Sequence, residues 1–167
     1  MEYLYAPWRS DYITGEKRKG GCVFCDISAH PEADEENQVL YRDAYCFIVM
    51  NRYPYTPGHF MIIPHTHTDA LESLESEAWR NISLRAQQGV RMLKEGFGAE
   101  GVNLGMNLGV AAGAGIAEHI HLHLVPRFSR DTNFITTVGQ TRVYSVDFQK
   151  IYERLRQMSG EYFKEIS

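Results

Sequence analysis

The sequence predicts an α+β domain with a mostly antiparallel sheet of five to six strands, one long helix and a C-terminal helix. Two observations lead there. Short apolar segments follow one another with hairpin-length links, and only two segments carry the 3.6-residue apolar period of a helix. The 167 residues are enough to bury most of the apolar surface of one ordinary domain. We therefore expect a single domain over 1–167, with 1–21 as an N-terminal extension and 140–167 as a C-terminal helical tail.

Taken in order, residues 1–21 read as irregular, with Lys17, Arg18, Lys19, Gly20 and Gly21 as an exposed turn. The compact part begins at 22–27, and the acidic stretch 30–37 reads as a loop. Strands are expected at 39–41 and 45–50, joined by a turn of Arg42, Asp43 and Ala44. Two prolines and a glycine make 51–58 a loop, and 60–64 is the next strand. Trp79, Ile82, Ala86, Val90, Leu93 and Phe97 form one helical stripe. Ser73 or Ser76 can cap that helix, Glu75 and Glu77 suit the positive end of its dipole, and Gly96 and Gly98 suit its end. A strand at 102–107 leads into the glycine-rich stretch 109–115, followed by a strand at 119–126. A further strand is expected near 136–138. The last helix is expected at 146–158, with Phe148, Ile151, Tyr152 and Leu155 on one side.

Composition narrows the function classes. The chain is 44% hydrophobic, 23% charged and 12% aromatic, as globular proteins are. No apolar run approaches the roughly 18–20 residues of a membrane helix, and the first residues lack the basic start and apolar core of a secretory signal. A cytoplasmic location, with no membrane partner, is the expectation. A net charge of −4 offers no basic face for a nucleic-acid backbone. A nucleotide-sized anion needs only a few donors in one pocket. Three cysteines, with Cys22 and Cys25 at C-x-x-C spacing, argue against a disulfide framework and for a metal site or a redox pair. Cys46, inside the apolar stretch 45–50, reads as core.

The chemistry concentrates in His119, His121 and His123. On a strand these alternate residues share a face, while Ile120, Leu122 and Leu124 point into the core. Three imidazoles would be wasteful as packing, because each buried ring nitrogen needs a partner. Two functions remain: the three bind a metal, or one is a nucleophile oriented by the others. Cys22 and Cys25 can reach one Zn²⁺, and His65 and His67 supply further imidazoles. A closed Cys₂His₂ site would leave the other histidines free for chemistry; a catalytic zinc on all three histidines is the competing arrangement. The small residues of 109–115 let backbone N–H groups approach an anion, though the stretch lacks the ending of an ATP-binding P-loop and also reads as a flexible turn. Asn103 and Asn107 can donate to phosphate oxygens or be plain strand-end residues.

The run Glu118, His119, Ile120, His121, Leu122, His123, Leu124, Val125, Pro126, Arg127 resembles the signature of the histidine triad (HIT) family of nucleotidyl hydrolases and transferases. Residues 51–64 are similar to the nucleoside-binding segment of its Fhit-like branch. Residues 103–127 with 133–136, and Ala6-Pro7-Trp8-Arg9, are most similar to that branch's bacterial diadenosine tetraphosphate phosphorylases and hydrolase-like proteins. The resemblance runs from about Leu4 to Gly139.

The resemblance implies a HIT-like fold and a nucleotide substrate, preferably a dinucleoside polyphosphate. His121 would attack the α-phosphorus and form a covalent nucleotidyl-histidine, with His123 on the leaving-group side and His59 beside the site. Asn51 would hold the ribose; Asn107 and the backbone of Gly113, Ala114 and Gly115 would hold phosphate. Cys22, Cys25, His67 and His119 would bind a structural Zn²⁺, with no organic cofactor. The protein would be a homodimer. His65 has no counterpart role. Gly115 stands where many members carry Gln or Ser, so that side-chain contact is absent here. A neutral imidazole is a good nucleophile near pH 7, and its phosphoramidate is labile. Purine nucleoside phosphoramidate hydrolysis is the alternative within the family. Outside it, a catalytic-zinc hydrolase and a zinc-stapled nucleotide-binding module are the alternatives.

Overall fold

The computed structural model describes residues 21–129, 138–139 and 146–164. Within these, the elements run α1 (Val23–Ala29), β1 (Val39–Arg42), β2 (Cys46–Met50), β3 (Phe60–Pro64), α2 (Ser76–Arg91), β4 (Gly101–Gly105), β5 (Leu122–Arg127) and α3 (Phe148–Tyr162). The strands form one five-stranded sheet in the order β1-β2-β3-β5-β4. Every pairing is antiparallel, so the expected α+β class holds.

Strand alternation gives the sheet two buried faces. On one face Ile48, Met50, Phe60, Ile62, Leu122 and Leu124 pack against Ile82, Ala86 and Leu93 of the long-helix region and Ile151 and Leu155 of α3. On the other, Phe47, Val49, Met61 and Ile63 pack against Phe24 and Ile27 of α1. Residues buried on both faces explain why β2 and β3 read as continuous apolar runs. Each fully buried Ile or Phe of this kind contributes about 1.5–3 kcal/mol of transfer free energy. Gly89 brings α2 close to the sheet: a Cβ there would stand 2.9 Å from Leu124 Cδ2. Gly58, at φ +89°, ends the 51–58 loop where a Cβ would meet the Phe97 ring at 2.5 Å.

Several boundaries differ from the expected ones. The stretch after Cys22 is a seven-residue helix, α1. The N-cap position of α2 is Glu75, with no side-chain cap; Ser76 is its first residue and Ser73 belongs to a 3₁₀ turn. The expected stripe is only partly buried. Trp79 is 39% exposed, whereas Arg85 is buried because it donates to Asp43 Oδ2 at 2.7 Å and to the Lys164 carbonyl at 2.8 Å. The long helix ends in a π-helical turn, Met92–Gly96. β4 stops at Gly105, so Asn107 lies beyond it.

β5 begins at Leu122, not at His119. The Ile120 N–H bonds the Thr68 carbonyl at 2.8 Å, off the β3 ladder, and that turns the 119–121 backbone away from the strand. In the tail, Asp147 caps α3 by accepting from the Gln149 and Lys150 N–H groups. Val146 precedes the helix, and Phe148 is exposed. The expected turn at 17–21 and strand near 136–138 lie outside the described residues, apart from Gly21, Val138 and Gly139. Val138 is exposed and helical. No helix among the described residues is long and apolar enough to cross a membrane.

Candidate active site and metal centre

The three histidines divide between two places. His119 is fully buried and turns toward α1. Its Nε2–H donates to the Pro64 carbonyl at 2.9 Å, so Nδ1 of the neutral ring keeps its lone pair. That nitrogen lies 3.3 Å from Cys22 Sγ and 3.6 Å from Cys25 Sγ, and His67 Nδ1 lies 3.2 Å from Cys25 Sγ. One ligand atom from each of these four residues falls within a sphere of mutual distances under 4.8 Å. The donor set fits zinc: two thiols and two imidazoles suit a tetrahedral shell with no open position. Burial and the neighbouring Cys22 thiol raise the pKa of Cys25. A divalent cation would reverse that by stabilising both thiolates. The four sequence-expected ligands are therefore together, while the expectation that the three imidazoles of the row share one strand face gives way, since β5 starts too late to hold His119 in register.

The second place holds His121, His123 and His59. The His121 Nδ1–H donates to the His119 carbonyl at 2.9 Å, which leaves the lone pair on Nε2. Its ring sits 4.9 Å from that of His123 and 5.2 Å from that of Phe24. His59 meets His123 through sheet register: Met61 pairs with His123, so His59, two residues back on the same face, is its diagonal neighbour. The Tyr55 N–H donates to His59 Nδ1 at 3.2 Å, so His59 carries its proton on Nε2 and donates it to His123 Nδ1 at 2.9 Å. His123 then carries its own proton on Nε2, a nitrogen with no partner among the described residues. Burial pushes His59 down to about 3 and His123 down to about 4, with the neighbouring histidine charges adding to it. Burial also lowers His121. All three rings are held neutral.

The expected substrate-binding residues are less closely gathered. Asn51 stands beside the relay, its Nδ2 3.4 Å from His59 Nε2 and its Oδ1 accepting the Tyr53 N–H at 2.9 Å. No hydrogen bond among the described residues joins Asn107 or residues 113–115 to the rings. The glycine-rich stretch is an ordered 3₁₀ turn, Val110–Ala112, closed by left-handed Gly113. The Gly113 and Ala114 N–H groups are spent inside it, on the Val110 and Gly109 carbonyls at 2.9 and 3.4 Å. Of the three amides expected to face phosphate, only that of Gly115 lacks a partner among the described residues. Asn103 accepts from Arg127 at 3.0 Å. Arg130 and Asn133 lie outside the described residues.

Phe24 and Tyr55 were not among the expected site residues. Phe24 packs its ring edge against His119, with centroids 5.6 Å apart, as well as against His121. Its position between the two cysteines is the signal that could have found it. Tyr55 stacks on His59 with centroids 4.9 Å apart; nothing in the loop sequence distinguishes it from Tyr53.

An antiparallel sheet with His123 on β5, His121 just before that strand and His119 turned into a Cys/His cluster defines a histidine-row α+β protein. The particular family follows from comparison: residues 32–130 match the HIT domain model, and the chain belongs to that family. It is 34% identical over 149 residues to AP-4-A phosphorylase of Mycobacterium tuberculosis, covering 86% of this chain and 76% of that one. Its fold is similar to that of a Zn-bound histidine triad family protein from Mycobacterium smegmatis, with TM-score 0.68 and 31% identity over 84% of this chain and 94% of that one. The diadenosine triphosphate hydrolase of Plasmodium falciparum shares the fold at TM-score 0.62 and 19% identity, covering 77% of this chain and 80% of that one.

Proposed function

We propose that this protein is a nucleotidyl hydrolase or phosphorylase acting on dinucleoside polyphosphates such as diadenosine tetraphosphate. The reading is carried by the hydrogen bond from His121 Nδ1–H to the His119 carbonyl. That bond fixes the tautomer, leaves Nε2 unprotonated and makes His121 a nucleophile in waiting. The named activity of the mycobacterial relative supports the substrate class.

In the first step the His121 Nε2 lone pair forms a bond to the α-phosphorus, and the bond from phosphorus to the bridging oxygen breaks. The polyphosphate half leaves as an anion and needs no proton. His123 Nε2–H, held in that tautomer by His59, donates a hydrogen bond to phosphoryl oxygen as charge develops. The modified His121 ring carries positive charge, which the His119 carbonyl stabilises through Nδ1–H. Water or inorganic phosphate then takes the nucleotidyl group and returns His121 to its neutral form. Asn51 is assigned to the ribose; Asn107 and the 113–115 turn, chiefly the Gly115 amide, are assigned to phosphate.

Zinc on Cys22, Cys25, His67 and His119 is a structural ion in this reading. When bound it supplies four bonds that tie α1 to the sheet, and it takes no part in the chemistry. A homodimer formed through β4 is part of the same reading. Among the described residues that strand is an open edge of the sheet; Leu104 on it is 53% exposed, and Leu108 and Val110 just beyond it are 43% and 78% exposed. Sedimentation of wild type against Leu104→Glu tests it: a dimer that becomes a monomer is the expected result.

The activity test is His121→Ala with diadenosine tetraphosphate. Loss of a covalent nucleophile commonly costs several orders of magnitude. Retention of more than about a tenth of wild-type turnover, a loss under roughly 1.4 kcal/mol, would refute the assignment.

A further inference from the structure

His65 and Ser28 lie outside the machinery assigned so far. The His65 Nε2 is 3.0 Å from the Asp43 carbonyl, and its Nδ1 is 2.7 Å from Ser28 Oγ. A carbonyl only accepts, so Nε2 carries the proton and Nδ1 of the neutral ring accepts from the Ser28 hydroxyl. The ring also rests on Phe47, with centroids 5.6 Å apart, and the His65 N–H bonds the Tyr45 carbonyl at 3.0 Å. His65 is thus fixed on the β1–β2 hairpin and presents a fixed acceptor to α1.

Ser28 follows Cys25 by three residues on α1, which puts both on one side of the helix. His65 precedes His67 by two residues. The same two segments are therefore joined twice, by Cys25 with His67 at 3.2 Å and by Ser28 with His65 at 2.7 Å. A seven-residue helix is too short to hold itself together in water. Its placement comes from what grips it. Phe24 and Ile27 anchor one side to the core, and Arg42 donates to the Ile27 and Ser28 carbonyls at 2.6 and 3.2 Å. Apart from the metal-ligand contact itself, the Ser28–His65 bond is the hydrogen bond that crosses from α1 to residues 65–67 among the described residues.

We propose that Ser28 and His65 are positioning residues of the metal centre: their hydrogen bond presets Cys25 against His67, so that zinc meets a half-formed site. This rests on the zinc reading above. Ordering α1 against the 65–67 segment is done before the ion arrives, so losing the bond weakens affinity and leaves the ligand set unchanged.

The experiment is competition for Zn²⁺ between the full chain and a chromophoric chelator, with Co²⁺ absorption as a report on the ligand set. The proteins are wild type, Ser28→Ala, His65→Phe and Ser28→Thr. Ser28→Ala removes one hydroxyl from a half-buried position, and His65→Phe keeps the ring on Phe47. Each is expected to weaken zinc binding about tenfold, with the tetrahedral Co²⁺ spectrum of wild type. Ser28→Thr keeps the hydroxyl and is expected to restore affinity. Unchanged affinity in Ser28→Ala and His65→Phe overturns the proposal. A Co²⁺ spectrum altered in His65→Phe overturns it too, because His65 would then be a ligand itself. If wild type takes up no zinc, the metal reading fails and the positioning role falls with it; tight wild-type binding unaffected by the variants sinks the positioning role alone.

Discussion

His59 has no solvent exposure, and the partners of its ring among the described residues are Tyr55, which stacks on it, Asn51, which stands beside it, and His123, whose Nδ1 accepts its Nε2–H. Among the described residues a positive charge there has no carboxylate to meet it. The folded protein therefore refuses a proton down to about pH 3, while the unfolded chain takes one near the ordinary 6.5. Above 6.5 the ring is neutral in both states and contributes no pH dependence. Below it the unfolded state gains protons that the folded state does not, so stability falls as pH falls, and the loss stops growing near pH 3. At pH 5 the difference amounts to about 2 kcal/mol from His59 alone. Urea unfolding at pH 7 and pH 5, with zinc in excess, measures the total loss. The same pair of measurements on His59→Gln isolates the contribution of this ring, because zinc release and the other histidines are common to both proteins. The variant should lose about 2 kcal/mol less than wild type between the two pH values. Equal losses would show that the ring titrates normally and that the burial argument is wrong.

Cys25→Ser should lower the melting temperature more than it lowers the chemical rate at low temperature, because the cluster is assigned to holding α1 rather than to the reaction. Metal analysis of protein purified without chelators should find one Zn²⁺ per chain; none would sink the assignment, as would undiminished zinc in His67→Ala. At millimolar phosphate, diadenosine tetraphosphate should yield ADP and ATP; AMP as the main mononucleotide at every phosphate concentration, read by chromatography, would show that water alone is the acceptor. Arg85→Met should destabilise by about 3 kcal/mol in denaturant unfolding, since it strands the Asp43 carboxylate in a site built for a buried pair; a loss under about 1 kcal/mol would mean that solvent reaches Asp43 freely.

The parts of this molecule that could be read from the sequence are those in which one periodicity decides. The core-facing Leu122 and Leu124 with His123 between them, and Ile82 and Ala86 of α2, follow from strand and helix repeats, and the cluster of Cys22, Cys25, His67 and His119 follows from the family resemblance. The unread parts depend on contacts distant in sequence. The short helix α1 has only Phe24 and Ile27 buried, too few to show a period. Its position is fixed by groups 14 to 97 residues away, among them Arg42 and His119. Arg85 sits in the middle of α2 as a charge, which any pattern assigns to the surface; its burial depends on Asp43 and on the Lys164 carbonyl. The split of the histidine row rests on one backbone bond, Ile120 to Thr68, that no local rule reveals. Glycines 113 and 115 pointed to an anion loop, and the structure shows how a 3₁₀ turn uses up most of the amides that glycines leave accessible.

The two margins of the sheet are unlike. Along β1, α3 reaches over and occupies the strand's carbonyls: the Tyr152 hydroxyl donates to Val39, and Arg156 and the Ser159 hydroxyl donate to Leu40, at 3.4, 2.6 and 2.8 Å. β4 has no such cover among the described residues. Among the described residues one margin is sealed and the other open, and a sheet of that kind can pair edge to edge only once. Two copies that meet at β4 present only sealed margins outward, so the same backbone pairing that would join them cannot add a third. Changing Ser159 and Arg156 both to Ala would free the Leu40 carbonyl on that margin for a further strand.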